Sequence, residues 1–380
     1  MITRLFLDRL RAPDPRERAH VVAPLFRAYL CEQLSAVTRE EIGCGLAAVL
    51  DDPSPLVRKT LADALAEEPR APHHMVMGLA RDQLAVAARV IICSPVLRDY
   101  DLIELIAESD DQVREMIAVR LHLSATVAAV LADQAGAVPC VSLLQNPTAA
   151  LTPLSIARIA ERHANDPLVR SVMLDRADLP IPIRQGLTTA LCDALGSHAM
   201  VKAYVRPERM ERVMRETWER ATIELACTAI DGERRTLIAH LGTSGKLTAG
   251  LLLRALTSGN FSFFEEALAY LARLPVLRAS KLARDRSGIG FRALYERAGL
   301  PAAAFDGFEM VVQSVLDAQD AHSDLTSARV RRQLLQGALE TYAPQAQGSA
   351  DTVLKHLSRL HDEAAREEAK SVFFEDARAA

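Results

Sequence analysis

Apolar residues recur along the chain at intervals of three and four positions, and they almost never alternate with polar residues as in a strand. Prolines and glycines interrupt this spacing at short intervals, so the pattern predicts many short helices. Residues 206–230 are expected to form one long helix. Shorter helices are predicted after it, at 233–241, 247–257, 261–274, 276–285, 290–298 and 302–319, and helices at 326–342 and 351–376 close the chain. The pattern therefore predicts an all-α protein.

The N-terminal half contains an internal repeat whose landmark is a Val-Arg pair. Val113-Arg114 lies 56 residues after Val57-Arg58, and Val169-Arg170 lies another 56 residues further on. An acidic residue precedes each pair, and weaker copies near Val86 and Val141 halve the interval. The repeating unit is therefore about 28 residues long, which is the length of one short helical hairpin.

The physical chemistry of this unit predicts how the copies pack. The acidic residue caps the second helix, whose first turn has unpaired N–H groups. The valine starts the apolar stripe, and a small residue four or five positions later lets the neighbouring hairpin approach. Because one hairpin is too small to bury its own apolar face, successive hairpins must stack into an α-solenoid.

The stretch Asp-Pro-x-x-x-Val-Arg that begins at Asp52 resembles HEAT repeats and the related short leucine-rich-variant repeats. Over most of its length the chain is also similar to a bacterial family known only as a domain of unknown function. The runs that carry this similarity include 82–87, 94–97, 143–146, 176–180, 247–256, 263–268 and 294–301. The resemblance implies a HEAT-like α-solenoid with a second helical half, and it supplies no catalytic residues.

The same pattern divides the chain into three predicted parts. Residues 1–205 are predicted to form the HEAT-like repeat domain, and residues 206–345 a helical domain that begins with the long helix. A connector rich in Pro, Gln and Gly precedes the last part, residues 346–380. This part is a final helix that folds back as a cap or docks a partner through its aromatic end.

Arg58, Arg114 and Arg170 recur at the same place in the repeat, and two interpretations of them stay open. In the first, they form a structural ladder by bonding to acids or carbonyl groups of the adjacent unit. In the second, they form a row of guanidinium groups that lines a ligand groove.

The long helix carries four further arginines at intervals of three, from Arg206 to Arg215. They invite a nucleic-acid interpretation, but steps of three spread over half the circumference of a helix. Acid-first pairs four residues apart also predict a solvated face of internal salt bridges. These pairs are Glu208–Arg212, Glu211–Arg215 and Glu216–Arg220.

Composition and charge limit the classes of protein that fit. Aromatic residues are only 4% of the chain, which favours helices over a β-sandwich or barrel. A net charge of −4 provides no global cationic field that would attract nucleic acid or a membrane. The six cysteines form no Cys-x-x-Cys pair, so we expect free thiols in a reducing compartment. Prolines break the longest uncharged stretch, so we expect no membrane span and a soluble, cytoplasmic protein.

Two glycine-rich stretches imitate nucleotide-binding motifs. The stretch 242–247 lacks the first glycine and the final Ser or Thr of a P-loop, and 288–293 follows no buried strand. The adjacent pair His73-His74 has no third metal ligand nearby, and neither a His-Glu-x-x-His nor a Gly-x-Ser-x-Gly motif occurs. The sequence therefore predicts neither an enzyme nor a bound cofactor or metal.

Charge is distributed unevenly along the chain. Residues 99–115 carry seven acids against one arginine, and residues 273–297 carry seven bases against two acids. Chance clustering is one interpretation, and a partner site at one or both segments is the other; the two segments also have the charges to attract each other. The candidate partner-binding residues are Arg58, Arg114, Arg170, Arg278, Lys281, Arg284, Arg286 and Arg292.

Two hypotheses for function come from different classes. The first is a non-enzymatic helical repeat scaffold or adaptor that binds a protein or peptide on an extended curved surface, with a regulatory role compatible with it. The alternative is a HEAT-like nucleic-acid-binding protein that holds the DNA backbone in its concave groove through the arginines. The negative net charge and the presence of only six lysines count against the alternative.

Overall fold

A computed structural model describes residues 8–31, 35–325, 327–342 and 352–379 of the chain. Over these residues it contains 22 α-helices and no strand, which confirms the all-α class. No helix in the described ranges is both long and apolar enough to cross a membrane. The predicted connector before the last helix, residues 343–349, lies outside the described residues.

Contacts between helices divide the chain into two compact units, residues 1–179 and 180–380. Packing places Ile181–Ser197 and Ala199–Tyr204 in the second unit, whereas the sequence-based domain boundary follows residue 205. The helices of the first unit are α1 (Pro15–Tyr29), α2 (Ala36–Val49), α3 (Pro55–Leu65), α4 (His73–Ala80), α5 (Leu84–Cys93), α6 (Asp99–Glu108), α7 (Asp111–Ala118), α8 (Ala125–Gln134), α9 (Ala137–Gln145), α10 (Pro153–His163) and α11 (Pro167–Asp175).

Alternate helices of the first unit pack against one another. The odd-numbered helices form a continuous row in which α3 packs between α1 and α5, and α7 packs between α5 and α9. In the second row, α8 packs between α6 and α10. Each helix therefore packs against the helices two positions before and after it in the chain. This stacking covers apolar faces that a single hairpin of two consecutive helices is too small to bury.

Side-chain caps start many of the short helices. Asp110 accepts hydrogen bonds from the backbone N–H groups of Gln112 and Val113, and Asp166 caps α11 in the same way. The predicted capping role of the acid is therefore observed in these two copies. In the first copy Ser54 occupies the cap position, and Asp52 instead accepts from Ser54 N and from an arginine of α1.

The second unit contains the long helix that the spacing of apolar residues predicts at 206–230, observed at Pro207–Thr228, and a still longer helix at Thr352–Ala379. Its helices are α12 (Ile181–Ser197), α13 (Ala199–Tyr204), α14 (Pro207–Thr228), α15 (Asp231–Thr243), α16 (Ala249–Thr257), α17 (Phe261–Ala272), α18 (Val276–Ala283), α19 (Ile289–Arg297), α20 (Phe305–Asp320), α21 (Ala328–Tyr342) and α22 (Thr352–Ala379). A short 3₁₀ turn, Ala302–Ala304, precedes α20.

An aromatic cluster forms the centre of the second unit. The rings of Phe264, Phe291, Tyr295 and Phe308 are at most 1% exposed, and neighbouring ring centroids lie 5.4–6.5 Å apart. This separation is typical of favourable aromatic pairs. The phenylalanines at the start of α17 therefore belong to the core of the second unit.

Glycine is required where α19 ends. Gly299 has φ +70°, a left-handed conformation that side chains with a Cβ disfavour. The predicted helix stop at Ala298–Pro301 is observed, and the carbonyl of Pro301 accepts a hydrogen bond from the buried Tyr295 hydroxyl at 2.9 Å.

Candidate partner-binding surfaces

Arg58 bridges two successive hairpins of the first unit. Its Nε and Nη2 donate to the two carboxylate oxygens of Asp82, at 2.5 and 2.9 Å, and its Nη1 donates to the carbonyl of Asp52 at 2.6 Å. Asp82 lies just before α5, so the guanidinium of α3 holds the start of the next helix in its row. Paired, bidentate contacts of this kind are the strongest that an arginine makes with a carboxylate.

Arg18 is a member of this series that sequence reasoning missed. Its Nε and Nη2 donate to Asp52 at 2.7 and 2.9 Å, which holds the start of α3 in the same way. No Val-Arg pair marks Arg18, because Glu17 rather than a valine precedes it. The shared signal is the distance from the helix cap, since Arg18 follows Asp14 by four residues and Arg58 follows Ser54 by four.

Arg114 and Arg170 occupy the same fourth position after their caps, Asp110 and Asp166. Arg114 donates to the carbonyl of Ile106 at 2.9 Å and contacts the carbonyl of Gln134, just before α9, at 3.4 Å. Arg170 is buried and donates to the carbonyl of Ala164 at 3.0 Å. Arg18, Arg58 and Arg114 thus contact the adjacent hairpin, as a structural ladder requires, whereas the hydrogen bond of Arg170 stays within its own hairpin. Contact with a partner stays a prediction for Arg58, Arg114 and Arg170.

The ladder makes the first unit sensitive to acid. Hydrogen bonds from Arg58 lower the pKa of Asp82, and hydrogen bonds from Arg18 lower the pKa of Asp52. A carboxyl whose pKa is lower in the folded state stabilises the fold above its unfolded-state pKa, and this contribution is lost as the pH falls through the folded-state value. We expect Arg58→Met to lower the free energy of unfolding of the first unit by about 1–3 kcal/mol at pH 7. This loss relative to the wild type should shrink towards pH 2–3 as Asp82 becomes protonated.

Urea unfolding followed by circular dichroism at several pH values measures this prediction. Lys59→Met is the matched control, because Lys59 is exposed and makes no ion pair with a described residue. A deficit that is the same at pH 3 and pH 7 would contradict the role of the Arg58–Asp82 pair.

The acidic segment 99–115 is largely satisfied within the first unit. Asp101 is buried and accepts from His73 Nε2 and from the backbone N–H of Arg98, both at 2.9 Å. Glu104 and Glu108 both pair with Arg81. The remaining acids include a helix cap and acceptors of backbone or hydroxyl hydrogen bonds. The carboxylates of the segment are thus largely hydrogen-bonded, but Arg81 is the one cation from outside the segment that pairs with them among the described residues, so most of the negative charge remains.

Three of the five basic candidates in the second unit have partners within that unit. Arg284 donates to Glu265 at 2.6 Å and lies over the ring of Phe261, and Arg292 lies 4.2 Å from the ring centroid of Phe305. Arg286 pairs with Asp317 and Asp320. These exposed contacts leave the guanidinium groups accessible from one side.

Arg278 and Lys281 differ from their neighbours. Both are exposed on α18, and neither forms a hydrogen bond or ion pair with any described residue. Leu277 directly precedes Arg278, lies one helical turn before Lys281, and is 72% exposed.

A groove lies next to this surface. Its volume is about 600 Å³, and we call it the α17–α18 groove; Arg235, Ile238, Glu266, Ala269, Tyr270, Leu271, Arg273, Leu274 and Val276 line it. Glu266 pairs with Arg234 at 3.0 Å. Arg235 and Arg273 make no ion pair within the described part of the chain. The groove thus combines an apolar floor with two free guanidinium groups.

The four arginines at the start of α14 do not form the predicted internal salt bridges. None of the three expected pairs is present among the described residues, and Arg220 pairs instead with Glu224 at 3.6 Å and with Glu367 of α22 at 2.5 Å. The exposed guanidinium groups of Arg212 and Arg215 therefore have no carboxylate within salt-bridge distance. A pattern of acids four residues before arginines did not predict the tertiary partner of Arg220.

The motifs that imitate nucleotide sites lie in helical surroundings. Residues 242–247 are the end of α15 and the turn after it, and Gly288 is the left-handed cap of α19 with φ +76°. No group of three or more metal-ligating side chains occurs in the part of the chain that the structure describes. All six cysteines are free thiols.

The fold and these surfaces define an all-α protein of packed helices whose free charges lie beside exposed apolar side chains. Residues 86–372 match the family described as an uncharacterised protein conserved in bacteria (DUF2336), and the chain belongs to this family. The resemblance to a bacterial family of unknown function is thereby confirmed. No curated protein matches the chain. The crystal structure of an engineered protein from the Northeast Structural Genomics Consortium is similar over 96% of this chain and 98% of its own, at 14% identity and a TM-score of 0.23, too low to support an argument.

Proposed function

We propose that the protein is a non-enzymatic helical scaffold that binds an acidic, partly apolar protein or peptide, and that the α17–α18 groove with the adjoining face of α18 is its docking site. The observation that carries this proposal is the combination of free cations and exposed apolar surface. Arg235 and Arg273 line the apolar groove, and Arg278 and Lys281 follow the exposed Leu277 on the adjoining helix.

Physical complementarity favours a peptide over a rigid small molecule. A volume of about 600 Å³ is within the range of ligand sites, yet the groove is open and continues onto a helix face. Unpaired guanidinium groups bind carboxylates in bidentate geometry, and an exposed leucine adds apolar area at the rim. An extended or helical segment with acidic and apolar residues satisfies both requirements.

Charge reversal tests the proposal in the full-length protein. A photo-crosslinking residue at position 277 is expected to capture one protein species from host lysate, and capture should persist after nuclease treatment. Arg278→Glu with Lys281→Glu should reduce capture at least tenfold, because four units of charge change beside the crosslinker. The matched control is Arg206→Glu with Arg209→Glu, which changes the same charge on exposed residues of the same unit.

Two outcomes contradict the proposal. If nuclease removes the crosslinked product, the ligand is nucleic acid, and binding to duplex DNA should then weaken steeply with added salt. If the control variant reduces capture as much as the α18 variant, the effect is one of net charge rather than of a docking site.

A further inference from the structure

The C-terminal helix α22 lies in a groove that three other helices of the second unit form. It packs along α21, contacts α16, and pairs through its carboxylates with α14. Its inward face is apolar: Leu357 is fully buried, and Val353, Leu360 and Ala364 are at most 8% exposed. We call the surface of α14, α16 and α21 beneath it the α22 groove.

Arginines of the groove hold two carboxylates of α22. Glu363 lies 2.9 Å from Arg254 of α16, and Glu367 lies 2.5 Å from Arg220 of α14. Glu367 also pairs with Arg331 of α21. The helices α14, α16 and α21 therefore each contribute one guanidinium group to the groove. These three groups are placed to bind an amphipathic helix that carries two carboxylates four residues apart.

Nearer the start of α22, the charges of the helix and of the groove are not complementary. Arg359 of α22 lines a narrow cleft together with Arg212 and Arg215 of α14. None of these three arginines forms an ion pair with a described residue; Glu216 and Glu219 line the same cleft, and Glu219 pairs with Arg254. Helix α22 thus presents an unpaired cation in a cleft where α14 presents two, and repulsion between like charges opposes its docking.

The contact is also incompletely packed. A half-open pocket of about 160 Å³ remains between α14, α16, α21 and α22, and the buried Nε of Arg331 has no hydrogen-bond partner among the described residues. Buried donors are seldom left unsatisfied in native proteins. The unsatisfied donor lowers the free energy needed to remove α22 from the groove.

We propose that the α22 groove is a receptor site for an acidic amphipathic helix of another protein, and that α22 is the intramolecular occupant which that helix displaces. The partner helix carries carboxylates at the positions of Glu363 and Glu367, and a third at the position of Arg359, where it meets Arg212 and Arg215. This site is separate from the α17–α18 groove, so either proposal can fail alone.

The mismatch at Arg359 favours a different protein over a second copy of this chain. A segment tethered within the same molecule has an effective concentration on the order of millimolar. The same helix from a second copy brings the same Arg359 and has no added contact with which to compete. A helix with an acid at that position gains a contact that α22 lacks.

Peptide binding to the full-length protein tests this inference. The probe is a fluorescent peptide of residues 352–371 that carries Arg359→Glu, compared with the unchanged peptide by fluorescence anisotropy. We expect the Arg359→Glu peptide to bind roughly tenfold more tightly or better, since a close charge pair contributes more than about 1.4 kcal/mol. Glu363→Gln with Glu367→Gln in the peptide should abolish binding, and Arg212→Ala with Arg215→Ala in the protein should remove the advantage of the Arg359→Glu peptide.

A second measurement avoids dependence on the affinity of one peptide. Arg359→Glu in the full-length chain should raise the urea midpoint that Trp218 fluorescence reports, and by clearly more than Lys355→Glu, an exposed change on the same helix that adds only a pair with Arg359 four residues on. Equal binding of the two peptides, or an unchanged midpoint for Arg359→Glu, overturns the inference. Formation of a dimer by the Glu363→Gln, Glu367→Gln chain in light scattering also overturns it, because the occupant would then be a second copy.

Discussion

Arg254→Met is expected to destabilise the second unit by about 3–5 kcal/mol, the range for breaking a buried ion pair by removing one partner. Arg254 is 5% exposed and lies between two carboxylates, at 3.2 Å from Glu219 and 2.9 Å from Glu363. Glu219 is itself only 6% exposed, so its charge stays buried without its partner in the variant. Methionine retains most of the apolar stem, and the loss therefore measures the charge rather than a cavity.

Fluorescence of Trp218 during urea unfolding reports this effect. The chain has one tryptophan, and its Nε1 donates to Thr189 within the second unit at 2.8 Å. Arg332→Met is the control, because the Arg332–Glu368 pair at 2.8 Å is more exposed and should contribute at most about 1 kcal/mol. Adding Glu219→Gln to Arg254→Met should recover part of the loss, since one buried charge is then removed. Equal losses for the Arg254 and Arg332 variants would contradict a buried network.

Local signals in the sequence predict the elements of the fold. The helical spacing predicts the all-α class, and the caps at Asp110 and Asp166 predict where α7 and α11 begin. These features depend on residues within a few positions of one another, and a single sequence contains that information. Gly299, at the predicted helix stop, has the left-handed conformation for the same reason.

Tertiary partners could not be predicted in this way. The Arg254–Glu363 pair joins residues 109 positions apart, and no spacing rule connects α16 with α22. The acid-first rule assigned Arg220 to Glu216, although the structure pairs it with Glu367. Similarly, seven acids at 99–115 indicated an acidic surface, but nothing in their spacing predicted that Asp101 contacts His73 or that Glu104 pairs with Arg81. Both partners come from an adjacent helix and the turn after it. Side-chain charge is a local property, whereas its neutralisation depends on packing.

The candidate partner-binding residues show the same difference between local signals and tertiary contacts. The period of the repeat correctly marked Arg58, Arg114 and Arg170 as equivalent positions, but it gave no means of separating a ladder from a groove. Clustering marked Arg278 and Lys281 together with Arg284 and Arg286, and only the coordinates separate the free cations from the paired ones.

Phe264→Ala is the second large effect, with an expected loss of about 3–5 kcal/mol in the stability of the second unit. Phe264 is fully buried, and its ring lies 5.8 Å from that of Phe261, 6.4 Å from that of Phe291 and 6.5 Å from that of Phe308. Truncation removes the transfer free energy of the ring and leaves a cavity that rigid aromatic neighbours fill poorly. The loss should appear in Trp218 fluorescence.

Tyr295→Phe is the matched control, because it keeps the ring and removes only the hydroxyl that donates to Pro301. Its expected cost near neutral pH is about 1 kcal/mol. Burial raises the pKa of Tyr295 to about 12, so the wild-type unit should lose stability as the pH rises from 10 to 12, where the unfolded chain releases this proton first. The Tyr295→Phe variant has no hydroxyl proton to release. The difference in unfolding free energy between the variant and the wild type should therefore narrow between pH 10 and pH 12. If Phe264→Ala costs no more than Tyr295→Phe, the aromatic cluster is not the centre of the core, and the second unit depends chiefly on its ion pairs.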